Sequence, residues 1–386
     1  MPGLWMKSAD AIVVGGGIAG LSLAARLALA TSGATRVVVL EAEAQPGYHA
    51  SGRSVAFAHF GLGDSLVRAL TAASLNAFRA MISPSGAPIA QPRHALHIAR
   101  KDEGETFKAL VAVHERFCED FEILTGEAIR RVAPALNVGP DAAYQAIHDR
   151  ASLALDTSAM LQKHLVELRS AGGELVTGAR VHSLERTDDE WVVETSNGRF
   201  RAPLVVNAAG AWADEIARLA GVPPIGLEPR RRTVIRFAAP EGHNVTDWPF
   251  IKTVGAGFYL LPEGRSRLLA SYMDETPSAP CDAAPEELDK AITADRIVNA
   301  AALTIDRIDH SWAGLRTFAR DERPVVGFAK GAQGFFWFAG QGGYGFQTSP
   351  ALSQIAVAAI MGEDFPAALR ADGVTPEALS PARFRA

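Results

Sequence analysis

Cysteine is almost missing from this chain. Among 386 residues there are only Cys118 and Cys281, far apart and outside any C-x-x-C. That excludes a disulfide framework and a thiolate metal site, and it suits a reducing compartment. A surplus of one charge is also lacking, since 38 Lys and Arg stand against 43 Asp and Glu. No Lys/Arg block marks a nucleic-acid footprint or a polybasic membrane anchor, so no nucleic-acid partner is expected. Long apolar runs are few. Residues 11–30 would register on a hydropathy plot, but three consecutive glycines and Arg26 fall inside them, which argues against a transmembrane segment. No secretory signal is evident, and the expectation is a cytoplasmic protein. His94, His97 and His114 lie fairly close in sequence, with no Asp, Glu or Cys at ligand spacing. They read as surface or loop histidines, and no metal site is expected.

What is present is an ordinary globular composition, 48% hydrophobic and 21% charged, at a length that suits two domains or one large interleaved one. The informative stretch is near the N-terminus. Residues 1–9 read as a short disordered leader. The apolar run Ala11–Val14 then reads as a buried strand, Gly15, Gly17 and Gly20 form G-x-G-x-x-G with Ile18 and Ala19 between them, and an Ala/Leu-rich helix follows. Gly15 permits a tight turn, Gly17 lets a pyrophosphate approach the backbone, and Gly20 lets helix and strand pack closely. The helix start offers free N–H groups to phosphate. A second strand ends at Glu41-Ala42, 21 positions after Gly20, where a ribose-binding acid is expected. That acid favours FAD or NAD over NADP.

Gly52-Arg53-Ser54 lies in the next loop, which can run back under a cofactor and bring Arg53 and Ser54 to phosphate or flavin; the competing reading is a solvated connector. Helices are expected over 64–82 with Asp64 as cap, 103–118, 127–132, and from the Asp156 cap to Gly172. Strands follow around Val181–Arg186 and 191–202, with Asn197-Gly198 as a hairpin turn. Leu204-Val-Val-Asn207 runs into Ala208-Ala209-Gly210 and Trp212, where small residues let a ligand lie close to backbone. Strands are expected again between 225 and 275, a helix over 284–304, and a final strand at 334–339. A second glycine-rich turn, Gly340 to Ser349, contains Gly342, Gly343, Tyr344, Gly345, Gln347 and Thr348 and leads into a helix from Pro350.

Taken in order, these stretches, with Trp312-Ala-Gly-Leu-Arg316, resemble the D-amino-acid oxidase superfamily of FAD enzymes. Local wording is most similar to bacterial D-arginine dehydrogenases, notably Gln45-Pro-Gly-Tyr-His49 and Gln341 to Ser349. The resemblance implies an α/β (α+β) fold, with a Rossmann-type FAD-binding domain (8–82, 150–222, 309–386) interleaved with a mixed-sheet substrate domain (83–149, 223–308). It implies non-covalent FAD, contacted by the glycine-rich segments above, Val181, Ala208–Gly210, Trp212, Arg316 and the 342–348 turn. It places Arg232, Tyr259 and Arg316 on a substrate carboxylate, with Arg316 at the start of a C-terminal loop, and Gly343 and Gln347 on the flavin side of the pocket.

The implied reaction is oxidation of a D-amino acid, by hydride transfer to flavin, to an imino acid that water hydrolyses. The electron acceptor (oxygen, quinone or dye) stays open. An acid expected for D-Arg falls on Ala95. An active-site histidine and tyrosine fall on Phe57 and Leu62, with His59 as a possible substitute. A neutral or apolar substrate is therefore expected over D-Arg. The alternative is a secondary-amine substrate such as sarcosine or an opine. A non-catalytic flavin-binding protein is the remaining reading.

Overall fold

The computed structural model describes residues 6–384. Residues 1–5 of the expected leader lie outside them. Met6–Ser8 is no leader, for it pairs in parallel with the Gly198–Ala202 strand.

Two large sheets organise the chain. In the first, six strands run in the order Glu174–Val176, Val37–Leu40, Ala11–Val14, Leu204–Asn207, Phe335–Ala339, Val325–Phe328. The first five pair in parallel and the last is antiparallel. Parallel strands must be covered on both faces, which is why these read as unbroken apolar runs. Side-chain alternation divides them. Ala11 and Val13 pack with the Ile18–Ala30, Thr157–Ser170 and Gly345–Met361 helices. Ile12 and Val14 pack beneath the four-stranded sheet that carries Val193 and Phe200. The architecture is the expected α/β one, a Rossmann-type unit beside a mixed sheet.

The second sheet has ten strands, with Ile308–Phe318, Glu228–Ala238, Arg267–Ser271, Tyr259–Glu263, Phe250–Thr253, Ala95–Ala99, Gln145–Asp149 and Phe121–Thr125 as successive neighbours. The strands at 95–99, 121–125 and 145–149 were not legible as such, because their apolar and polar residues do not alternate cleanly. The Ile308–Phe318 strand pairs with Glu228–Ala238 from Phe318↔Glu228 to Ile308↔Phe237. Residues 309–318 thus belong to the second sheet, not to the nucleotide unit as expected, and Arg316 is a strand residue rather than the start of a loop. The reason is the pairing with Glu228–Ala238, which extends on both sides of the Trp312–Arg316 motif and puts it inside an eleven-residue strand. One face of this sheet, with Ile235, Phe237, Ile251 and Leu260, packs against the Glu287–Ala300 helix. Its other face carries Val234, Phe250, Tyr259 and Leu261 toward Phe57.

The last long helix begins at Gly345, five residues before Pro350. Pro350 is the sixth helical residue, so it leaves the Phe346 carbonyl without its usual i→i−4 donor, and the Ser349 hydroxyl donates to that carbonyl instead at 3.0 Å. Asp64 caps the Ser65–Ala80 helix as expected, accepting from Leu66 and Val67 N–H at 3.0 and 3.1 Å.

Helix and strand meet most closely at Gly20, where an added Cβ would run into the Gly15 carbonyl oxygen. Gly20→Ala is expected to cost about 1–3 kcal/mol by overpacking, read as a lower urea midpoint. Gly104→Ala, where an added Cβ meets nothing within 4 Å, should stay within about 0.5 kcal/mol of the parent.

Candidate active site

Two adjoining clefts occupy the seam between the sheets. They share Ile18, Ala50, Ser51, Arg53, Leu315, Gly342 and Gly345, so a single elongated ligand can run from one to the other.

The larger cleft, about 250 Å³, lies over the carboxyl ends of the parallel strands, where open α/β sheets take nucleotides. Gly15, Gly17, Ile18, Ala19, Glu41, Ala42, Arg53, Val181, Ala208, Ala209, Gly210 and Trp212 line it. The glycines leave a cradle that side chains would fill: a Cβ on Gly15 would stand 2.5 Å from the Ala208 carbonyl oxygen. Glu41 does more than wait for a ribose. Its carboxylate accepts from the Gly16 N–H at 2.8 Å and the Glu43 N–H at 2.9 Å, which fixes the glycine turn. Burial pushes its pKa up, against the pull of those two donors. Ser51 Oγ accepts from the Ile18 N–H at 2.9 Å at the helix start.

Four residues expected at the cofactor do not line either cleft. Gly20 and Gly52 serve close packing, each against a backbone carbonyl. Tyr344 is buried, packs on Phe318 and donates its hydroxyl to the Glu322 carbonyl. Thr348 donates to the Tyr344 carbonyl at 2.7 Å inside the helix.

The smaller cleft, about 160 Å³, is lined by Arg53, Ser54, Phe57, His59, Leu62, Arg232, Tyr259, Arg316, Gly343 and Gln347, among others. Strand register brings the carboxylate-binding candidates together. Arg232 sits opposite Gly314, two residues from Arg316 on the paired strand. The Arg232 Nε donates to the Asp274 carbonyl at 2.9 Å, and Arg232 and Arg316 share the Glu275 carboxylate at 3.3 and 2.9 Å. Burial, then the neighbouring Arg316, pulls Arg232 down to about 10, which leaves it cationic at neutral pH. Burial raises the Tyr259 phenol, and the two arginines oppose that. Gly343 lies against the Arg316 guanidinium so closely that a Cβ would overlap it. Gln347 Nε2 donates to Thr71 Oγ1 at 2.7 Å, so it is held by the core rather than capping the helix. Two of the five non-glycine residues with positive φ among the described residues, Ala56 and Met273, also line this cleft. Such strain persists only where the surroundings enforce it.

Phe57 and Leu62 line the cleft as apolar residues, but Ala95 does not reach it. The apolar expectation missed Lys252. This lysine is buried at 6% exposure, lines the cleft, and donates to the Thr253 carbonyl at 2.9 Å. Burial, then Arg232 and Arg316, lowers it to about 8. Its signal was a charge inside the apolar run Trp248–Val254, at period two from Phe250.

The histidine expectation also changes. His94 is exposed, but His97 and His114 are fully buried, on a central strand and on the helix packed behind it. The sheet brings Asp149 to them from a distant strand, so that one ligand atom from each lies within 4.8 Å of the others. His59 Nδ1 accepts from the Gly61 N–H at 3.1 Å and its ring stacks on His97 at 5.2 Å. Burial first, then nearby cationic or imidazole groups, holds His59 and His97 well below the usual imidazole value. Burial alone would raise Asp149; the His114 ring 3.5 Å away and the bond from the Ser152 hydroxyl outweigh it and bring the carboxyl to about 2.

The family model described as DAO, FAD dependent oxidoreductase, matches residues 10–359. The chain belongs to this family. Its cofactor is FAD, and the glycine cradle and Glu41 turn fit that group. Rat mitochondrial dimethylglycine dehydrogenase is 27% identical over 278 residues, covering 70% of this chain and 32% of that protein. This chain therefore spans about a third of that relative. L-proline dehydrogenase from P. horikoshii has the same fold, with a TM-score of 0.81 at 20% identity, over 98% of both chains. Iminodiacetate oxidase from Chelativorans sp. BNC1 superposes with a TM-score of 0.79 at 20% identity, over 96% of this chain and 99% of that one. The likeness is to enzymes named for N-methylated glycines and for glycine, rather than to D-arginine dehydrogenases specifically. No described helix is long and apolar enough to cross a membrane.

A group whose folded pKa is depressed adds stability above its unfolded pKa and loses it as pH falls. For His59 and His97 the loss begins below about pH 6.5. The unfolding free energy should fall by about 1.4 kcal/mol per pH unit for each histidine below that point. Urea titrations between pH 7 and 5 read this slope, and His97→Asn should make it shallower by one proton.

Proposed function

We propose that this chain is an FAD-dependent oxidoreductase of an N-substituted amino acid, taking its CH–NH bond to an imine that water hydrolyses to a 2-oxo acid and an amine. The observation that carries the reading is the trio Arg232, Tyr259 and Arg316 at the cleft adjoining the nucleotide cradle. Two guanidiniums and a phenol suit a carboxylate, which they bind and orient. FAD, when bound, supplies the two-electron acceptor. The residues prepare the amine in a second way. Arg232, Arg316 and Lys252 surround the cleft with positive charge, and like charge disfavours an ammonium. The substrate nitrogen is thereby favoured in its neutral form, the one that can be oxidised, without a dedicated base. His59, held neutral, adds no further charge.

The choice of an N-substituted amine over a free D-amino acid is supported by the relatives, whose names specify dimethylglycine, proline and iminodiacetate. Anaerobic addition of sarcosine, iminodiacetate and D-alanine to the yellow protein tests it. Bleaching by the N-substituted compounds and not by D-alanine is expected; the reverse order would return the reading to D-amino acids. Arg316→Met should lower kcat/KM by roughly 30-fold or more, as expected when one partner of a desolvated charge pair is removed.

A further inference from the structure

Lys252 is a buried cation with no carboxylate at salt-bridge distance among the described residues. Its strand, Phe250–Thr253, lies between Ala95–Ala99 and Tyr259–Glu263, and Lys252 stands directly opposite Tyr259 in the register. Side chains opposite each other project from the same face. Phe250, two residues away, shares that face, and all three line the smaller cleft, whereas Ile251 packs into the core behind the sheet. Lys252 therefore points into the substrate space and not into packing.

The anions nearby are already engaged. Glu275 pairs with Arg230, Arg232 and Arg316. Asp274 accepts the Thr233 N–H with both oxygens and lies 3.5 Å from Arg232. Glu103 pairs with Arg100. Among the described residues no carboxylate lies within 4.0 Å of the Lys252 Nζ, and no Asp or Glu lines this cleft. The Nζ has one protein acceptor, the Thr253 carbonyl, for three donors. Arg68, a further cation near it, also keeps its Nε unpartnered. A buried ammonium with spare donors is a costly feature to keep, and a counter-ion brought by the ligand balances it.

We infer that the substrate is a dicarboxylate, an N-substituted amino acid whose second carboxylate is bound by Lys252 while Arg232, Tyr259 and Arg316 hold the first. This rests on the oxidation of an N-substituted amino acid proposed above and narrows its substrate. The positions are distinct on the sheet. The arginines come from the Glu228–Ala238 and Ile308–Phe318 strands, and Lys252 lies beyond the Arg267–Ser271 and Tyr259–Glu263 strands. Tyr259 stands between the two groups and Phe250 beside Lys252, leaving an apolar stretch for a short carbon spacer. A monocarboxylate would leave Lys252 uncompensated, so discrimination comes from the unpaired charge as much as from the added contact.

Sarcosine and iminodiacetate differ by one carboxylate on the N-alkyl group, which makes them a matched pair. Binding to the FAD-loaded protein is measured anaerobically by flavin absorbance and, independently of turnover, by calorimetry. Iminodiacetate should bind at least roughly 30-fold more tightly than sarcosine, and Lys252→Met should shrink that ratio to about threefold or less. Lys252→Arg, which keeps the charge, should retain most of it. Removing a buried unpaired charge does not threaten folding, so the methionine variant can be read. Equal binding of the two compounds by the parent, or a ratio that survives Lys252→Met, would overturn the inference. A slower reoxidation of reduced flavin by oxygen with the ratio intact would equally overturn it and assign Lys252 to the acceptor side. If iminodiacetate binds through Lys252 but no amine bleaches the flavin, the dicarboxylate site stands and the oxidation reading falls.

Discussion

The pairing of Glu228–Ala238 with Ile308–Phe318 is the constraint on which the site depends. Ten register pairs join segments some eighty residues apart. One end of that ladder continues through Thr317↔Gly342 and Phe318↔Gln341 into the glycine-rich turn before the last long helix. Arg232, Arg316 and Gly343 therefore owe their mutual positions to one continuous set of backbone hydrogen bonds. A slip of one residue in the Glu228–Ala238 strand would turn Arg232 to the opposite face, away from Arg316, and bring Arg231, now paired with Glu286 and Asp289, into the cleft.

Around that frame the charges are divided with some economy. Glu275, on the solvent side, is shared by three arginines, and it keeps Arg232 and Arg316 oriented without entering the cleft. Arg53 is satisfied by two carbonyls and Asp282. The cleft is left with positive potential and no resident anion, the state in which an incoming carboxylate gains most. The neutral His59 and the rings of Phe57 and Phe250 supply the walls without weakening that field.

Much of this was legible in the sequence, and the legible parts are local. The Gly15–Gly20 turn, Glu41 and the Asp64 cap depend on residues a few positions apart, or on a spacing set by a single helix. Arg232, Tyr259 and Arg316 were legible only through family resemblance, since nothing in their surroundings declares that their strands adjoin. Lys252, and the burial of His97 and His114 beside Asp149, were not legible. Their meaning comes from neighbours on strands separated by dozens of residues, and a lysine in an apolar run reads the same whether it snorkels outward or faces a cavity. Gly52, Tyr344 and Thr348 differ in the other direction, as motif residues that hold the backbone in shape and line neither cleft.

The parallel ladder of the nucleotide unit also sets an order of events. Ala11–Val14 is completed by Leu204–Asn207, and that strand in turn by Phe335–Ala339. The glycine turn is thus translated some 190 to 320 residues before the strands that complete its platform. At roughly 5–20 residues per second during synthesis, the first strands wait many seconds with both edges open. The apolar Ala11–Leu40 segment then has every chance to pair wrongly. Early binding of the cofactor cannot protect it, because the cleft does not exist until the C-terminal part of the chain has arrived. Folding yield, more than the stability of the finished protein, is where this topology leaves the chain exposed.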